Sequence, residues 1–190
     1  MTDRDNHPVT MPSSQVRWNA RYQSQPPGPA GSQPWLLAHQ SLLPPTGLAL
    51  DLAMGLGGSA GWLLERGWRA AGVDISAVAV RRAKERWPAL LAFVADLEHL
   101  VLPAHAFDLL LDFYYLDRAL WPQFRRALRP GGLLVMETFV ALPGGSAPGI
   151  NPAYVLQPGE LRTAFADWHV LDYREGEREG RSVAGIVARA

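Results

Sequence analysis

Two acidic residues and a glycine turn near residue 50 have the types and spacing of a nucleoside-binding site. The apolar run that begins at Leu48 ends in Asp51, and Gly55 and Gly57 follow it. The next apolar run ends in Asp74. Glycines let the backbone approach a ligand closely, and an acid about 20 residues further on can accept hydrogen bonds from two ribose hydroxyls. The spacing therefore predicts a ribose-bearing cofactor.

Asp51 bears on which cofactor this is. A carboxylate repels a neighbouring pyrophosphate but attracts a ligand that carries an ammonium or a sulfonium group. The glycine turn alone also fits NAD-binding oxidoreductases, and a tight turn of this kind occurs in α/β proteins without any ligand. An NAD-binding oxidoreductase and a protein that binds its ligand without catalysis therefore remain alternatives.

A third acid, Asp96, ends the third apolar run and precedes Leu97. Ligands of open α/β sheets bind at the carboxyl ends of the strands. There the carboxylate could accept from an exocyclic amine while the backbone N–H of Leu97 donates to a ring nitrogen. A turn cap explains Asp96 alone equally well. Three acids at the ends of successive strands are harder to explain as caps, because gathered carboxylates repel one another.

The residues after the fourth and fifth apolar runs are candidates for the substrate side. Tyr114 and Tyr115 offer aromatic faces and hydroxyls that could wall a pocket or attract a sulfonium, although packing under a loop explains each one singly. Arg118 falls in the first turn of a helix, where a cation opposes the dipole. This small cost is a hint of an anionic partner, although a simple surface position explains Arg118 more readily. We predict Tyr114 and Arg118 as substrate-binding residues, and Tyr115 or Glu137 as the base if the acceptor must lose a proton.

Strands and helices alternate from Pro34 onward, which predicts an α/β fold with a doubly wound, mostly parallel sheet. The apolar runs at 109–111 and 133–136 suit strands that are buried on both faces. The last two strands, 168–174 and 182–188, are joined by a charged turn. Only antiparallel neighbours can be joined so shortly, so we expect a C-terminal antiparallel hairpin.

Residues 1–33 are rich in Pro, Gly, Ser and Gln, which predicts a flexible N-terminal arm before a domain at 34–190. Trp18 and Tyr22 are the exception within this arm. They are four residues apart and would share one face of a short helix. Something apolar must then cover them.

Composition excludes several classes of function. The 190 residues carry 18 basic and 18 acidic side chains, so no global field attracts nucleic acid or an anionic membrane. There is no cysteine, and the five histidines are scattered, so we predict neither thiol chemistry nor a metal site. The polar N-terminus does not resemble a signal peptide. We expect a cytoplasmic protein, monomeric or homodimeric, that acts on a small molecule.

Five stretches together resemble class I S-adenosylmethionine-dependent methyltransferases. They are residues 51–57, 72–75, 94–97, 107–111 and 128–132. The resemblance runs from Leu48 to the C-terminus and implies a Rossmann-like, seven-stranded sheet with S-adenosyl-L-methionine as the cofactor. It implies cofactor contacts at eight positions: Asp51 near the methionine ammonium, Ala53, Gly55 and Gly57 beneath the cofactor, Asp74 and Ile75 at the ribose, and Asp96 and Leu97 at the adenine. The family often has glycine where Ala53 stands, and alanine is tolerable there if its φ is negative.

Shorter stretches are similar to small bacterial methyltransferases of the tellurite-resistance (TehB-like) kind. They are residues 18–22, 137–139 and 151–160. In that group the N-terminal segment covers the cofactor, which implies this role for Trp18 and Tyr22. The implied reaction is transfer of a methyl group from a sulfonium to a small nucleophile. Its leaving group is neutral, so proximity and desolvation can supply most of the rate.

Overall fold

The computed structural model describes residues 13–26, 31–144 and 150–190. Seven strands form one sheet: β1 (Leu48–Leu52), β2 (Arg69–Asp74), β3 (Leu91–Val94), β4 (Phe107–Phe113), β5 (Leu128–Phe139), β6 (His169–Arg178) and β7 (Arg181–Arg189). The α-helices of the described residues are α1 (Ser14–Ser24), α2 (Pro34–Ala38), α3 (Gly58–Leu64), α4 (Ala77–Arg86), α5 (Trp121–Ala127) and α6 (Glu160–Ala164).

The strand order is β3-β2-β1-β4-β5-β7-β6. Strands β1 to β5 pair in parallel, whereas β7 pairs antiparallel with both β5 and β6. This confirms the doubly wound sheet with its C-terminal antiparallel hairpin. The order reverses between β1 and β4, and ligands of such sheets bind at the carboxyl ends of the strands beside that point.

The sheet is covered on both faces, as its apolar central strands require. On one face Leu109 and Leu111 of β4 pack with Trp35 of α2 and Leu63 of α3. The residue between them, Leu110, packs on the other face. That face is covered by α5 and α6 through Phe124 and Leu161. Alternation with a period of two thus places the helices in two layers around one sheet.

The C-terminal hairpin has a much tighter turn than the charged segment 175–180 suggested. Strand β6 extends to Arg178 and β7 begins at Arg181, so that only Glu179 and Gly180 lie between them. Both residues have positive φ, 51° and 74°. Positive φ at both central positions is the geometry of the two-residue turns whose twist matches paired strands. The hairpin therefore extends past the predicted end of its first strand.

Other boundaries differ by a few residues. Strand β5 begins at Leu128 rather than Leu133, because Leu128 pairs with Phe107 before the register shifts. The predicted N-terminal arm contains α1, while residues 1–12 and 27–30 of that arm lie outside the described residues. None of the helices described is long and apolar enough to cross a lipid bilayer.

Candidate active site

The turn after β1 brings the chain into an unusual backbone conformation. Ala53, Gly55 and Gly57 all have positive φ, at 49°, 55° and 71°. The condition under which alanine is readily tolerated at position 53, a negative φ, is therefore not met. The Cβ of Ala53 adds a cost of about 1 kcal/mol, which the packing of β1 and α3 around the turn must offset. The alternating left-handed residues lead the chain from the strand into α3, and Gly57 is the N-cap of that helix.

Asp74 ends β2 and is buried, with 5% of its surface exposed. Its Oδ2 accepts a hydrogen bond from the backbone N–H of Gly55, and its Oδ1 accepts one from that of Ser76, both at 2.8 Å. Burial raises the pKa of the carboxyl, and the two backbone donors oppose that rise. Each carboxylate oxygen can accept a second hydrogen bond. Asp74 can thus accept from two further hydroxyls.

Asp51 lies next to it at the end of β1 and is 4% exposed. Its Oδ2 accepts from the backbone N–H of Ala60 at 3.2 Å, in the first turn of α3. Burial raises the pKa of Asp51 to about 7; the Ala60 bond lowers it, and the charge of Asp74 raises it further. A cationic ligand beside Asp51 would favour the ionised form of this carboxyl and would be attracted to it.

Asp112, near the end of β4, is a third buried acid close to Asp51. It is 1% exposed, and its Oδ1 has no hydrogen-bond partner among the described residues. Burial, and then the charges of Asp51 and Asp117, raise its pKa well above the usual range. No role was predicted for Asp112, although its position at a strand end is the same signal that singled out Asp51 and Asp74.

Asp96 and Leu97 lie further along the same edge. Oδ1 of Asp96 accepts from the backbone N–H of Glu98 at 3.0 Å and so caps a short 3-10 helix at Leu97–His99. The turn-cap interpretation of Asp96 is therefore realised, while Leu97 is buried. Asp96, Glu98 and His99 each bring one potential metal-ligand atom within 4.8 Å of the others, but all three side chains are exposed.

Helix α1 docks on the beginning and middle of α4. Oδ1 of Asn19 accepts from Oγ of Ser76 at 2.7 Å, and Ser76 is the N-cap of α4. The side-chain amide of Gln15 donates to the carbonyl of Ile75 at 3.2 Å. Nη1 of Arg82 donates to the carbonyls of Tyr22 and Gln25 at 2.7 and 3.2 Å. The arm thus contacts the residues that directly follow Asp74.

Tyr22 and Trp18 lie on the site side of α1. Their rings stack with centroids 5.9 Å apart. A Cβ added at Gly55 would lie only 2.7 Å from Oη of Tyr22, so the phenol rests directly on the glycine turn. Burial, together with the charge of Asp74, raises the pKa of Tyr22 to about 12. The absence of a side chain at Gly55 is therefore what lets α1 pack against the glycine turn.

Tyr114 and Glu137 meet at the carboxyl ends of β4 and β5. The Tyr114 hydroxyl donates to Oε1 of Glu137 at 2.8 Å, and Glu137 is fully buried. Burial, and then the charge of Glu137, raise the pKa of Tyr114 to about 12. Two arginines of β6 also bind Glu137: Arg174 at 2.7 Å and Arg178 at 2.6 Å. The sequence analysis did not single out either arginine.

Arg118 does not join this group. Its guanidinium pairs with the carboxylate of Glu160 and donates to the carbonyls of Ala153 and Val155 at 3.2 and 3.3 Å. The anionic partner that its position predicted is thus a residue of the same chain. Tyr115 is not part of this group either. Burial, and then the nearby charge of Asp117, raise the pKa of Tyr115. A surface cleft lined by Gly47, Arg69 and other residues contains none of the predicted site residues.

The profile of one protein family, described as a methyltransferase domain, matches residues 49–132. This central part of the chain is therefore similar to a methyltransferase domain. The match spans the glycine turn, Asp74, Asp96 and β4. No curated protein matches this chain significantly.

Solved structures share its fold at low sequence identity. An S-adenosylmethionine-dependent methyltransferase from Mesorhizobium loti is 21% identical with a TM-score of 0.67, covering 81% of this chain and 96% of that one. TehB from Haemophilus influenzae is 17% identical with a TM-score of 0.69, covering 82% and 60%. The geranyl diphosphate C-methyltransferase from Streptomyces coelicolor A3(2), solved with S-adenosyl-L-homocysteine, is 18% identical with a TM-score of 0.66, covering 82% and 78%.

Proposed function

We propose that this protein transfers the methyl group of S-adenosylmethionine to a small-molecule acceptor, as an enzyme of the TehB-like kind. The observation that carries the proposal is the placement of Tyr22 directly on Gly55. A crevice that α1 closes from above suits a small acceptor better than a macromolecule, because the acceptor must lie beneath the cover. The similar Streptomyces enzyme is named for a small acceptor, geranyl diphosphate.

The residues of the crevice have complementary roles in this proposal. Asp74 accepts from the two ribose hydroxyls, and Asp51 faces the methionine ammonium. The other proposed cofactor contacts are Ala53, Gly55 and Gly57 beneath the cofactor, Ile75 at the ribose, Asp96 and Leu97 at the adenine, and Trp18 and Tyr22 above it. Bound cofactor would bring positive charge among three buried acids, whose mutual repulsion it relieves.

The acceptor side supports a reaction without an enzymatic base. Two guanidinium groups hold the carboxylate of Glu137, and the raised pKa of Tyr115 keeps its proton on the phenol. Neither predicted base is therefore placed to remove a proton. We infer that the acceptor loses its proton before it binds, and that alignment and exclusion of water under α1 supply the rate.

Ligand-induced stabilisation tests the proposed function. S-adenosylmethionine and S-adenosylhomocysteine should raise the melting temperature. At a ligand concentration 100 times the dissociation constant, the free energy of unfolding should rise by about 2.7 kcal/mol. NAD should raise neither quantity. Transfer of labelled methyl to a panel of small thiols, amines and acids should then identify the acceptor. Stabilisation by NAD alone would contradict the proposal.

The arm gives a second expected result. Deleting residues 1–23 should weaken S-adenosylmethionine binding about tenfold or more, because the cover and its contacts with α4 are lost. The free energy of unfolding of the apo protein should change little, since α1 contains no fully buried residue. Calorimetry and urea unfolding measure the two effects.

A point variant sharpens this test. Arg82→Gln removes the donors to Tyr22 and Gln25 and should reproduce part of the loss of affinity. Arg81→Gln makes the same charge change on an exposed neighbour that pairs with Glu85 among the described residues, and should bind normally. A truncated protein with wild-type affinity would show that the arm has no part in cofactor binding.

We further propose a cytoplasmic location, a monomer or homodimer in solution, and no nucleic-acid partner, as the balanced charge suggests. Light scattering of the purified protein measures the oligomeric state, and a larger assembly would contradict this part of the proposal.

A further inference from the structure

A cluster of four polar side chains lies at the carboxyl ends of β4 and β5: Tyr114, Glu137, Arg174 and Arg178. Glu137 is its centre. Oε1 accepts from Tyr114 and forms an ion pair with Nη2 of Arg178, and Oε2 accepts from Arg174 at 2.7 Å. Arg178 also donates to the hydroxyl of Tyr114. The carboxylate thus holds both guanidinium groups in fixed positions.

The lack of a side chain at Gly185 allows residues of β5 and β6, the two strands that flank β7, to meet across it. In the register of the sheet, Gly185 of β7 pairs with Glu137 on one side and with Arg174 on the other. Without a side chain between them, Arg174 can reach across β7 to Glu137. Trp35 of α2 fills the remaining space: its ring lies 2.8 Å from the position of a Cβ at Gly185, and the Arg174 guanidinium lies 4.4 Å from its centroid.

The cluster contains two positively charged side chains and one negatively charged side chain. Arg174 and Arg178 face a single carboxylate. Nε of Arg174 and Nη1 of Arg178 are buried and have no acceptor among the described residues. A buried donor without a partner costs about 1–3 kcal/mol, and more for a charged group. Two such donors, on guanidinium groups that share one paired carboxylate, are what a bound anion would satisfy. The neighbouring carboxylate of Asp172 is itself bonded to His39.

We propose that Arg174 and Arg178 bind an oxyanion group of the methyl acceptor, with the Tyr114 hydroxyl beside it and Glu137 as a positioning residue. This inference rests on the proposed function and names its substrate class. Tyr114 directly follows β4, at the edge of the sheet where ligands of this fold bind. The guanidinium fork matches the paired oxygens of a carboxylate or a phosphate. The guanidinium of Arg118, by contrast, is already bonded to Glu160 and to two backbone carbonyls.

Anion binding to the full chain saturated with S-adenosylhomocysteine tests the inference. The probes are inorganic phosphate and acetate, titrated by calorimetry against chloride at constant ionic strength. We expect phosphate or acetate to bind with a millimolar dissociation constant and chloride not to bind. Arg178→Gln should weaken that binding about tenfold or more. Arg81→Gln, with the same charge change on the exposed side of α4, should leave it unchanged.

Glu137→Gln separates an anion site from a purely structural ion pair. Removing the internal counter-charge frees both guanidinium groups, so the anion should bind about threefold tighter or more, by the Coulomb term alone. A structural ion pair predicts no anion response in any variant. Arg178→Lys, which keeps the charge but loses the fork, should bind the anion with intermediate affinity if Arg178→Gln does not fold.

Stabilisation of each variant by S-adenosylhomocysteine reports an intact fold and cofactor site. Wild-type protein that binds neither phosphate nor acetate overturns the anion site, as does equal loss of anion binding in Arg81→Gln. Absence of any stabilisation by S-adenosylhomocysteine in the wild type instead overturns the proposed function.

Discussion

Asp74→Ala is expected to weaken S-adenosylmethionine binding about 30-fold or more, because it removes two charge-assisted hydrogen bonds worth together about 2–4 kcal/mol. The backbone donors at Gly55 and Ser76 already occupy one acceptor site on each oxygen, so the two remaining sites are the ones available to the ribose. Isothermal calorimetry on the folded variant measures the loss.

Asp96→Ala is the matched control for this substitution. Asp96 is partly exposed and already caps its own turn through the N–H of Glu98, so its loss should reduce affinity by a smaller factor. A folded Asp74→Ala variant with unchanged affinity, or one less affected than Asp96→Ala, would show that the ribose does not bind at β2.

Asp51→Asn is expected to stabilise the apo protein and to weaken cofactor binding at the same time. The buried carboxyl has a pKa of about 7, far above that of an exposed aspartate. Its raised pKa means that the folded state takes up a proton in preference to the unfolded state. The stabilisation from that proton is fully present below the unfolded pKa, and it is lost as the pH rises through about 7.

At pH 8 the wild-type protein therefore carries a buried charge that the asparagine variant lacks. We expect Asp51→Asn to be more stable at pH 8 by about 2–4 kcal/mol and nearly equal to the wild type near pH 4. Urea unfolding of the apo proteins across this range measures the difference. Equal stability at both pH values would mean that Asp51 is not buried as a charged group.

The same proton makes cofactor binding depend on pH. An ammonium group favours ionised Asp51, and only a small fraction of the carboxyl is ionised one unit below its pKa. Wild-type affinity for S-adenosylmethionine should therefore fall roughly tenfold between pH 8 and pH 6, whereas the affinity of Asp51→Asn should be low at both. A flat wild-type profile would contradict the placement of the ammonium beside Asp51.

Much of the fold could be predicted because its signals are local. Continuous apolar runs mark strands buried on both faces, and a short final connection permits only an antiparallel pair. The two-residue turn at Glu179 was missed because glutamate is a poor signature of positive φ. Ala53 was missed for the same reason: its conformation is set by the packing of β1 against α3, not by its own preference.

The two sides of the site differed in how far sequence could predict them. Asp51, Asp74 and Asp96 end parallel strands, and topology alone brings such ends to one edge. Arg174 and Arg178 reach Glu137 only through the register of three strands, in which Gly185 lies between Arg174 and Glu137. No local sequence pattern reveals that register. For Arg118 the dipole argument was sound, but the anion came from Glu160, 42 residues later in the chain.

The position of α1 against the glycine turn also bears on the timing of the proposed catalysis. Tyr22 rests on the glycine turn. In the proposed function, neither the cofactor nor its demethylated product would pass until α1 lifts. A few hydrogen bonds from Gln15, Asn19 and Arg82 hold α1, which has no fully buried residue, so its opening is a local event of low cost. Product departure, rather than the methyl transfer itself, is then the natural slow step of each cycle.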